Sequence, residues 1–296
     1  MLTKTALVII NPVAGTKRAN RFLTDIIQML SNEDYQCQVQ ATTPQRNATF
    51  LAKTYAPGKD LVICIGGDGT LNETIAGCIA ANVSPKIGYI PAGSTNDFAN
   101  NLGLNAHPIQ ATKAILNGKT LDIDVGMFND RVFIYTASFG AFTRASYSAP
   151  REWRNSLGHL AYVLAGAQDL GDLKAHHVKI KTADRIIEGE YIFGGICNST
   201  RIGGGMIKLP EELVNINDGL LEVVLVKYPE TAADFTTLIF DLVTGNYASP
   251  FLDFLSTPNL DVIINDNVDW TIDGEYQKGC KNIHIDVLPG ALKLQY

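Results

Sequence analysis

"LVICIGGDGT", residues 61–70, is five consecutive apolar residues that break off into two glycines, an aspartate, a third glycine and a threonine. A short apolar run without polar alternation fits a strand buried on both faces, the usual state in a parallel sheet. Beyond the glycines, "LNETIAGCIAA" (71–81) reads as a helix. Asp68 therefore stands between a buried strand and a helix start, where backbone N–H groups lack partners and partial positive charge gathers.

The same grammar extends in both directions. "KTALVIINP" (4–12) is a strand, and "RANRFLTDIIQML" (18–30) carries Phe22, Ile26, Ile27 and Leu30 at helical spacing. Strand "YQCQVQATT" (35–43), helix "NATFLAKTYA" (47–56), strand "KIGYIP" (86–91), and helices in "STNDFANNL" (94–102) and "PIQATKAILNG" (108–118) follow. Strands separated by helices predict an α/β domain with a doubly wound parallel sheet. After "TLDIDVGMFND" (120–130) the texture changes to strands joined by turn residues, with helices expected only at 156–170 and 230–247. The expected organisation is an α/β domain over 1–125 and a mainly antiparallel β domain over 126–287.

Composition sets outer limits. The chain has 296 residues, 46% hydrophobic and 18% charged, which suits a globular protein of two domains. Residues 1–125 carry 10 Lys/Arg against 9 Asp/Glu, whereas residues 126–296 carry 14 against 21. An acidic chain argues against a nucleic-acid partner. No apolar run reaches the roughly 20 residues of a membrane span, and the opening "MLTKTALVIINP" lacks a signal-peptide pattern. Five cysteines without CxxC spacing predict free thiols in a reducing cytoplasm. The histidines show no HxxxH or HExxH spacing, which makes zinc catalysis an unpromising reading.

Three strands of the first half end in glycine-bearing loops: "INPVAG" (10–15), "IGGDGT" (65–70) and "IPAGSTND" (90–97). In a parallel sheet the carboxyl ends share one edge, so these loops should converge, each aiming a helix N-terminus at an anion such as phosphate. None matches GxGxxG or GxxxxGK[ST], which weakens a Rossmann dehydrogenase or a Walker-type NTPase. Lys17, Arg18 and Arg21 open the first helix against the helix dipole, with Lys17 and Arg21 on one face. An unseen anion or a solvated turn would each explain them. Asp68 and Asp97 lie in two of the loops, and "LDIDVG" puts Asp122 and Asp124 on one strand face. Carboxylates beside phosphates suit Mg²⁺; Asp97 has helix capping as its alternative, and Asp122 an ordinary surface position.

Taken together, "NPVAG" (11–15), "GGDGT" (66–70), "PAGSTNDFAN" (91–100) and "TIDGEY" (271–276) resemble the diacylglycerol kinase catalytic-domain family. The likeness is to its soluble bacterial lipid kinases, distantly related to NAD kinases and phosphofructokinases. It implies an N-terminal ATP-binding domain completed by the C-terminal segment 288–296, a β-sandwich domain for the lipid substrate, and ATP-Mg²⁺ in the cleft between them. By the same resemblance the ATP contacts are Asn11, Pro12, Val13, Ala14 and Gly15, then Thr42, Gly66, Gly67, Asp68, Gly69, Thr70, Leu71 and Asn72, and finally Thr95. Lys17 joins them on the charge argument. Asp68, Asp97 and Asp124 would form the acidic group around catalytic Mg²⁺, and Glu275 would be the base.

Glu275 also has a physical case. A neutral alcohol must lose its proton to accept a phosphoryl group, and "TIDGEY" reads as a hairpin whose tip could present the carboxylate. An ordinary solvent-facing hairpin is the alternative. "NINDGLL" (215–221) is readable as a turn; the resemblance instead implies a structural Mg²⁺ on the Asp218 carboxylate and the carbonyls of Asn215 and Leu220. The chain departs from the family in having Gly93-Ser94 where Gly-Thr is usual, and in lacking a lysine that some relatives carry near "HLAYVLAGA" (159–167). Arg144, Arg151, Arg154 and His159 are candidates for meeting anionic lipid headgroups, or are scattered solvated charges. The expected activity is ATP- and Mg²⁺-dependent phosphorylation of diacylglycerol at the inner membrane face. Phosphatidylglycerol or a sphingoid base as acceptor, an NAD kinase, and a non-catalytic nucleotide-binding regulator are the alternatives. A homodimer is left open.

Overall fold

The computed structural model describes residues 4–15, 18–140, 174–202 and 207–296. Lys17, the helix expected at 156–170, and the cluster Arg144, Arg151, Arg154 and His159 lie outside the described residues. The chain divides into two compact units, Met1–Val125 with Pro289–Tyr296, and Gly126–Leu288.

In the first unit β1 (Lys4–Ile10), α1 (Leu23–Asn32), β2 (Tyr35–Ala41), α2 (Ala48–Tyr55), β3 (Leu61–Gly66), α3 (Asp68–Ala80), β4 (Lys86–Pro91), α4 (Asp97–Asn101) and α5 (Pro108–Asn117) follow in order, and β5 (Thr120–Phe128) leads out. β2, β1, β3 and β4 are neighbours in that order, all parallel. Every residue of β3 is buried, which explains its unbroken apolar run. Ile26 and Leu30 of α1 and Ala111 and Ile115 of α5 pack on one sheet face with Val8, Ile63 and Ile90. Each such Ile, Leu or Val side chain contributes about 1.5–3 kcal/mol through burial.

The start of α1 corrects the expectation from its charges. Arg18–Phe22 form a 3₁₀ turn, and the α-helix begins only at Leu23. Phe22 is drawn into the core, its ring edge-on to His107 at 5.3 Å. Arg18 and Arg21 therefore precede the α-helix instead of opposing its dipole.

The second unit contains β6 (Arg131–Phe133), β7 (Thr136–Gly140), β8 (His176–Lys181), β9 (Ile186–Cys197), β10 (Arg201–Ile202), β11 (Ile207–Lys208), β12 (Leu221–Lys227), α6 (Ala232–Thr244), β13 (Leu252–Thr257), β14 (Asn259–Ile264), β15 (Trp270–Ile272), β16 (Glu275–Gln277) and most of β17 (Asn282–Gln295). Its pairings are antiparallel, and β9 is the hub, joining β8 along its first half and both β7 and β12 along its second. Phe133, Phe139 and Trp270 centre one apolar cluster; Val224 and Val226 form another with Leu238 of α6. Thr231 and Asp234 close a capping box on α6, and Gly245 ends the helix at a φ of 70°. The final residues of β17 belong to the first unit, where Lys293–Gln295 pair parallel with β4. Among the described residues no helix is long and apolar enough to cross a membrane.

On β17, the exposed His284 sits between two carboxylates, Nδ1 at 2.6 Å from Asp261 and Nε2 at 3.0 Å from Asp286. The bond to Asp261 leads in holding its imidazolium above the ordinary histidine range. A raised folded-state pKa stabilises the fold at pH values below the unfolded histidine's pKa and loses that contribution as pH rises through the folded value. NMR titration of the ring should give a midpoint above 6.5, falling toward the ordinary range in Asp261→Asn. An unmoved midpoint in that variant would remove Asp261 as the cause. The stability effect is small because the group is exposed to solvent.

Candidate functional site

Main-chain hydrogen bonds carry the parallel ladders one residue past the strands. Asn11 N–H donates to Ile65 C=O (2.8 Å), Thr42 N–H to Ile10 C=O (2.9 Å), and Ala92 N–H to Gly66 C=O (2.7 Å). The three glycine-bearing loops thus start from one edge and touch through backbone. A methyl group built on Gly15, whose φ is +48°, would collide with Ala92 C=O; one on Gly93 would lie 2.6 Å from Gly67 Cα. Asn11 Nδ2 also donates to Thr70 Oγ1 at 3.2 Å, tying the first loop to the second. Asn11 Oδ1 accepts from Val13 N–H, and its C=O from Ala14 N–H, so residues 11–14 form a closed turn around Pro12.

The helix starts at this edge are not equivalent. α3 begins at Asp68 behind Gly67, which provides no side-chain cap. The amides of its first turn, Gly69 and Thr70 among them, have no acceptor inside the helix. Asn72 is half-buried one residue further, whereas Leu71 is fully buried and donates its N–H to Gly67 C=O. The N-terminus of α4 is already occupied: Asp68 Oδ2 accepts from Asp97 N–H (2.8 Å) and Oδ1 from Phe98 N–H (3.3 Å). Together with the 3₁₀ turn before α1, this corrects the expectation of three helix N-termini aimed at one anion; α3 supplies the uncapped start. Carboxylate at a helix N-terminus is favourable, and Asp68 serves α4 in that way.

Tyr89 completes this arrangement and was not singled out by the sequence pattern. Its hydroxyl donates to Asp68 Oδ1 at 3.4 Å. Burial first, then the neighbouring Asp68 charge, pushes the phenol far above its ordinary range, so it stays protonated as a donor. Asp97 is the first residue of α4, following Asn96 at a φ of 54°, and does not occupy the capping position. Asn96 Oδ1 instead accepts from Gly93 N–H (2.8 Å), and Thr95 C=O accepts from Asn100 Nδ2 (2.9 Å). Asp124 is 1% exposed and accepts from Gly290 N–H at 2.7 Å. Among the described residues no three His, Cys, Asp or Glu side chains gather to hold a metal ion.

In the second unit, Asp273 and Gly274 both have positive φ, 47° and 81°, and Ile272 pairs with Glu275. This is the two-residue hairpin that Asp-Gly favours. Asp273 also does something its turn role hid. Its buried carboxylate accepts from three consecutive amides, Ile134 (2.7 Å), Tyr135 (3.0 Å) and Thr136 (3.0 Å). These charge-assisted bonds fasten the hairpin tip to the stretch between β6 and β7. Glu275 begins β16 with its side chain 61% exposed and its Oε2 2.7 Å from Arg131 Nη2. In the 215–220 loop, Asp218 Oδ1 accepts from Leu220 N–H (3.0 Å) and Asn215 Oδ1 from Asn217 N–H (3.4 Å), with Gly219 at a φ of 77°.

Comparison with known proteins agrees with this architecture. Residues 5–128 match the diacylglycerol kinase catalytic domain, and residues 136–296 the YegS C-terminal NAD kinase beta sandwich-like domain. The chain is 30% identical over 275 residues to "Diacylglycerol kinase" of Bacillus subtilis (strain 168), covering 92% of this chain and 90% of that protein. It is 30% identical over 292 residues to "Probable lipid kinase YegS" of Salmonella typhimurium, covering 97% and 94%. The fold is similar to the crystal structure of a diacylglycerol kinase from Bacillus anthracis strain Sterne, with a TM-score of 0.74 at 21% identity, over 99% of this chain and 97% of that one. The two family models together cover residues 5–128 and 136–296, and the Bacillus subtilis relative matches over 92% of the chain: this chain belongs to the diacylglycerol kinase family of lipid kinases.

Proposed function

We propose that the protein is an ATP- and Mg²⁺-dependent kinase that phosphorylates the free hydroxyl of diacylglycerol, giving phosphatidate and ADP. The observation that carries this reading is the backbone contact of Gly15 and Gly67 with the Ala92–Gly93 segment. With no side chains between them, main-chain amides and the uncapped start of α3 share one rim, a chemistry suited to a polyphosphate. Asn11, Gly15, Gly67, Gly69, Thr70 and Thr95 would hold the phosphates, with Thr42 beside them. Residues whose side chains would fill the rim are absent at the three glycines, so the nucleotide fits the donor set.

Mg²⁺ usually takes one or two carboxylates together with phosphate oxygens and water. Asp68 and Asp97, joined by Asp97 N–H donating to Asp68 Oδ2, would supply them; among the described residues Asp124 does not gather with these two into a three-carboxylate group. Once bound, the ion would neutralise charge developing on the phosphates. Glu275 takes the proton from the acceptor hydroxyl. The hydroxyl oxygen bonds to the γ-phosphorus as the bond from that phosphorus to the bridging oxygen breaks, releasing ADP. Diacylglycerol lies in a bilayer, so the reaction takes place at a membrane surface, the inner face in this reading.

Transfer of label from γ-labelled ATP to a panel of lipid acceptors tests the proposal. Label in chloroform-extractable phosphatidate is expected. Label on a sphingoid base or phosphatidylglycerol would overturn the acceptor; water-soluble label alone would overturn the lipid, and ATP binding without transfer would overturn the kinase. A structural Mg²⁺ on Asp218 and the carbonyls of Asn215 and Leu220 forms part of the same reading. Calorimetric titration with Mg²⁺ should lose one site in Asp218→Ala, and an unchanged titration would remove the assignment.

A further inference from the structure

We infer that Arg131 is a positioning residue for Glu275, holding the carboxylate in the orientation from which it takes the acceptor's proton; this rests on the reading of Glu275 as the base. Arg131 opens β6, opposite Phe128 of β5. One guanidinium reaches three acceptors along β16. Nη2 donates to Glu275 Oε2 at 2.7 Å, and Nη1 donates to Gln277 Oε1 at 3.0 Å and to the Tyr276 carbonyl at 3.4 Å. The contacts span the whole of β16, so the arginine is fixed by the strand whose glutamate it holds.

The pair makes little sense as a source of stability. Both side chains are partly open to solvent, 30% for Arg131 and 61% for Glu275, and exposed ion pairs contribute little to folding. Its geometric effect is larger. A glutamate at a hairpin tip would otherwise sample many rotamers, whereas a tether on Oε2 selects a few. Among the described residues, Oε1 has no hydrogen-bond partner and remains the oxygen able to accept a proton. Arginine suits the task because its planar fork makes several bonds at once and keeps its charge at any working pH. The same segment, 131–136, also supplies the three amides that grip Asp273. The hairpin is thus held at its tip by backbone and along β16 by Arg131.

The test is steady-state kinetics of the full-length wild type, Arg131→Ala, Arg131→Lys, Glu275→Gln and the Arg131→Ala/Glu275→Gln double variant. Arg131→Ala should lower kcat roughly 10- to 100-fold while KM for ATP and for lipid stays within about 2-fold, the pattern of a misaligned group. Added guanidinium should restore part of that loss. In the Glu275→Gln background the same substitution should change the residual rate by less than about 2-fold, because it acts through Glu275. Equal losses in both backgrounds, or an unaffected Arg131→Ala, would overturn the positioning role while a damaged Glu275→Gln leaves the base intact. Near-normal Glu275→Gln would remove the base and this inference with it. Should Arg131→Ala fail to fold, Arg131→Lys, alone and combined with Glu275→Gln, carries the test: a loss confined to the Glu275 background supports the role, and an equal loss in both, or none in either, refutes it.

Discussion

Glu275→Gln lowers kcat by roughly 10²–10⁴ with little change in KM for either substrate, if Glu275 is the group that takes the alcohol's proton. The substitution is chosen because it separates two properties. Glutamine keeps a side-chain oxygen that can accept from Arg131, so the hairpin and its tether survive. It cannot take a proton. The Asp273–Gly274 turn and its three amide bonds lie outside the changed atoms, so the fold should be intact, which thermal unfolding would verify. Label transfer from ATP measures the rate. Turnover within a few-fold of wild type would end the case for a glutamate base at this position.

Asp68→Asn is expected to cause the second large effect, in two measurements at once. The carboxylate accepts from the amides of Asp97 and Phe98 and from the Tyr89 hydroxyl. Asparagine has one acceptor oxygen, so an N–H that faced a carboxylate oxygen would face an amide NH₂. Leaving one such group unsatisfied costs about 1–3 kcal/mol of stability. The charge lost is also one proposed for Mg²⁺, and phosphoryl transfer should fall roughly 10²-fold through lost electrostatic stabilisation. Tyr89→Phe provides the contrast: it removes the longest of the three bonds and keeps both amide contacts, so its stability cost should stay below about 1 kcal/mol. An Asp68→Asn protein that unfolds and turns over like the wild type would show that neither role is real.

How much of this was visible before the structure depends on range in the chain. The unbroken apolar run at 61–65 signalled a strand buried on both faces, and β3 is such a strand. The 230–247 segment signalled a helix, and its Thr231 and Asp234 close a local capping box three residues apart. Asp273-Gly274 signalled a hairpin because both residues tolerate positive φ. In each case the cause lies within a few residues, so pattern suffices.

The missed features are interactions across long separations. Asp68 accepts from the first amides of α4, 29 and 30 residues away, and nothing in "GGDGT" announces those bonds. Asp273 already had an explanation as a turn residue, which concealed its bonds to amides 137 to 139 positions earlier. The apolar spacing through Phe22 reads Arg18 and Arg21 as helical, but Arg18–Phe22 form a 3₁₀ turn whose last residue, Phe22, packs partly buried against the core.

Among the described residues, local chemistry therefore dictated most strands, helices and turns and the parallel-then-antiparallel order, because backbone torsions and apolar periodicity are properties of neighbouring residues. The partners of Asp68 and Glu275 were decided only when β1, β3 and β4 lined up their ends and Arg131 of β6 reached β16. Hydrogen-bond partners are chosen by position in space, and residues far apart in the chain leave no periodic trace of that choice.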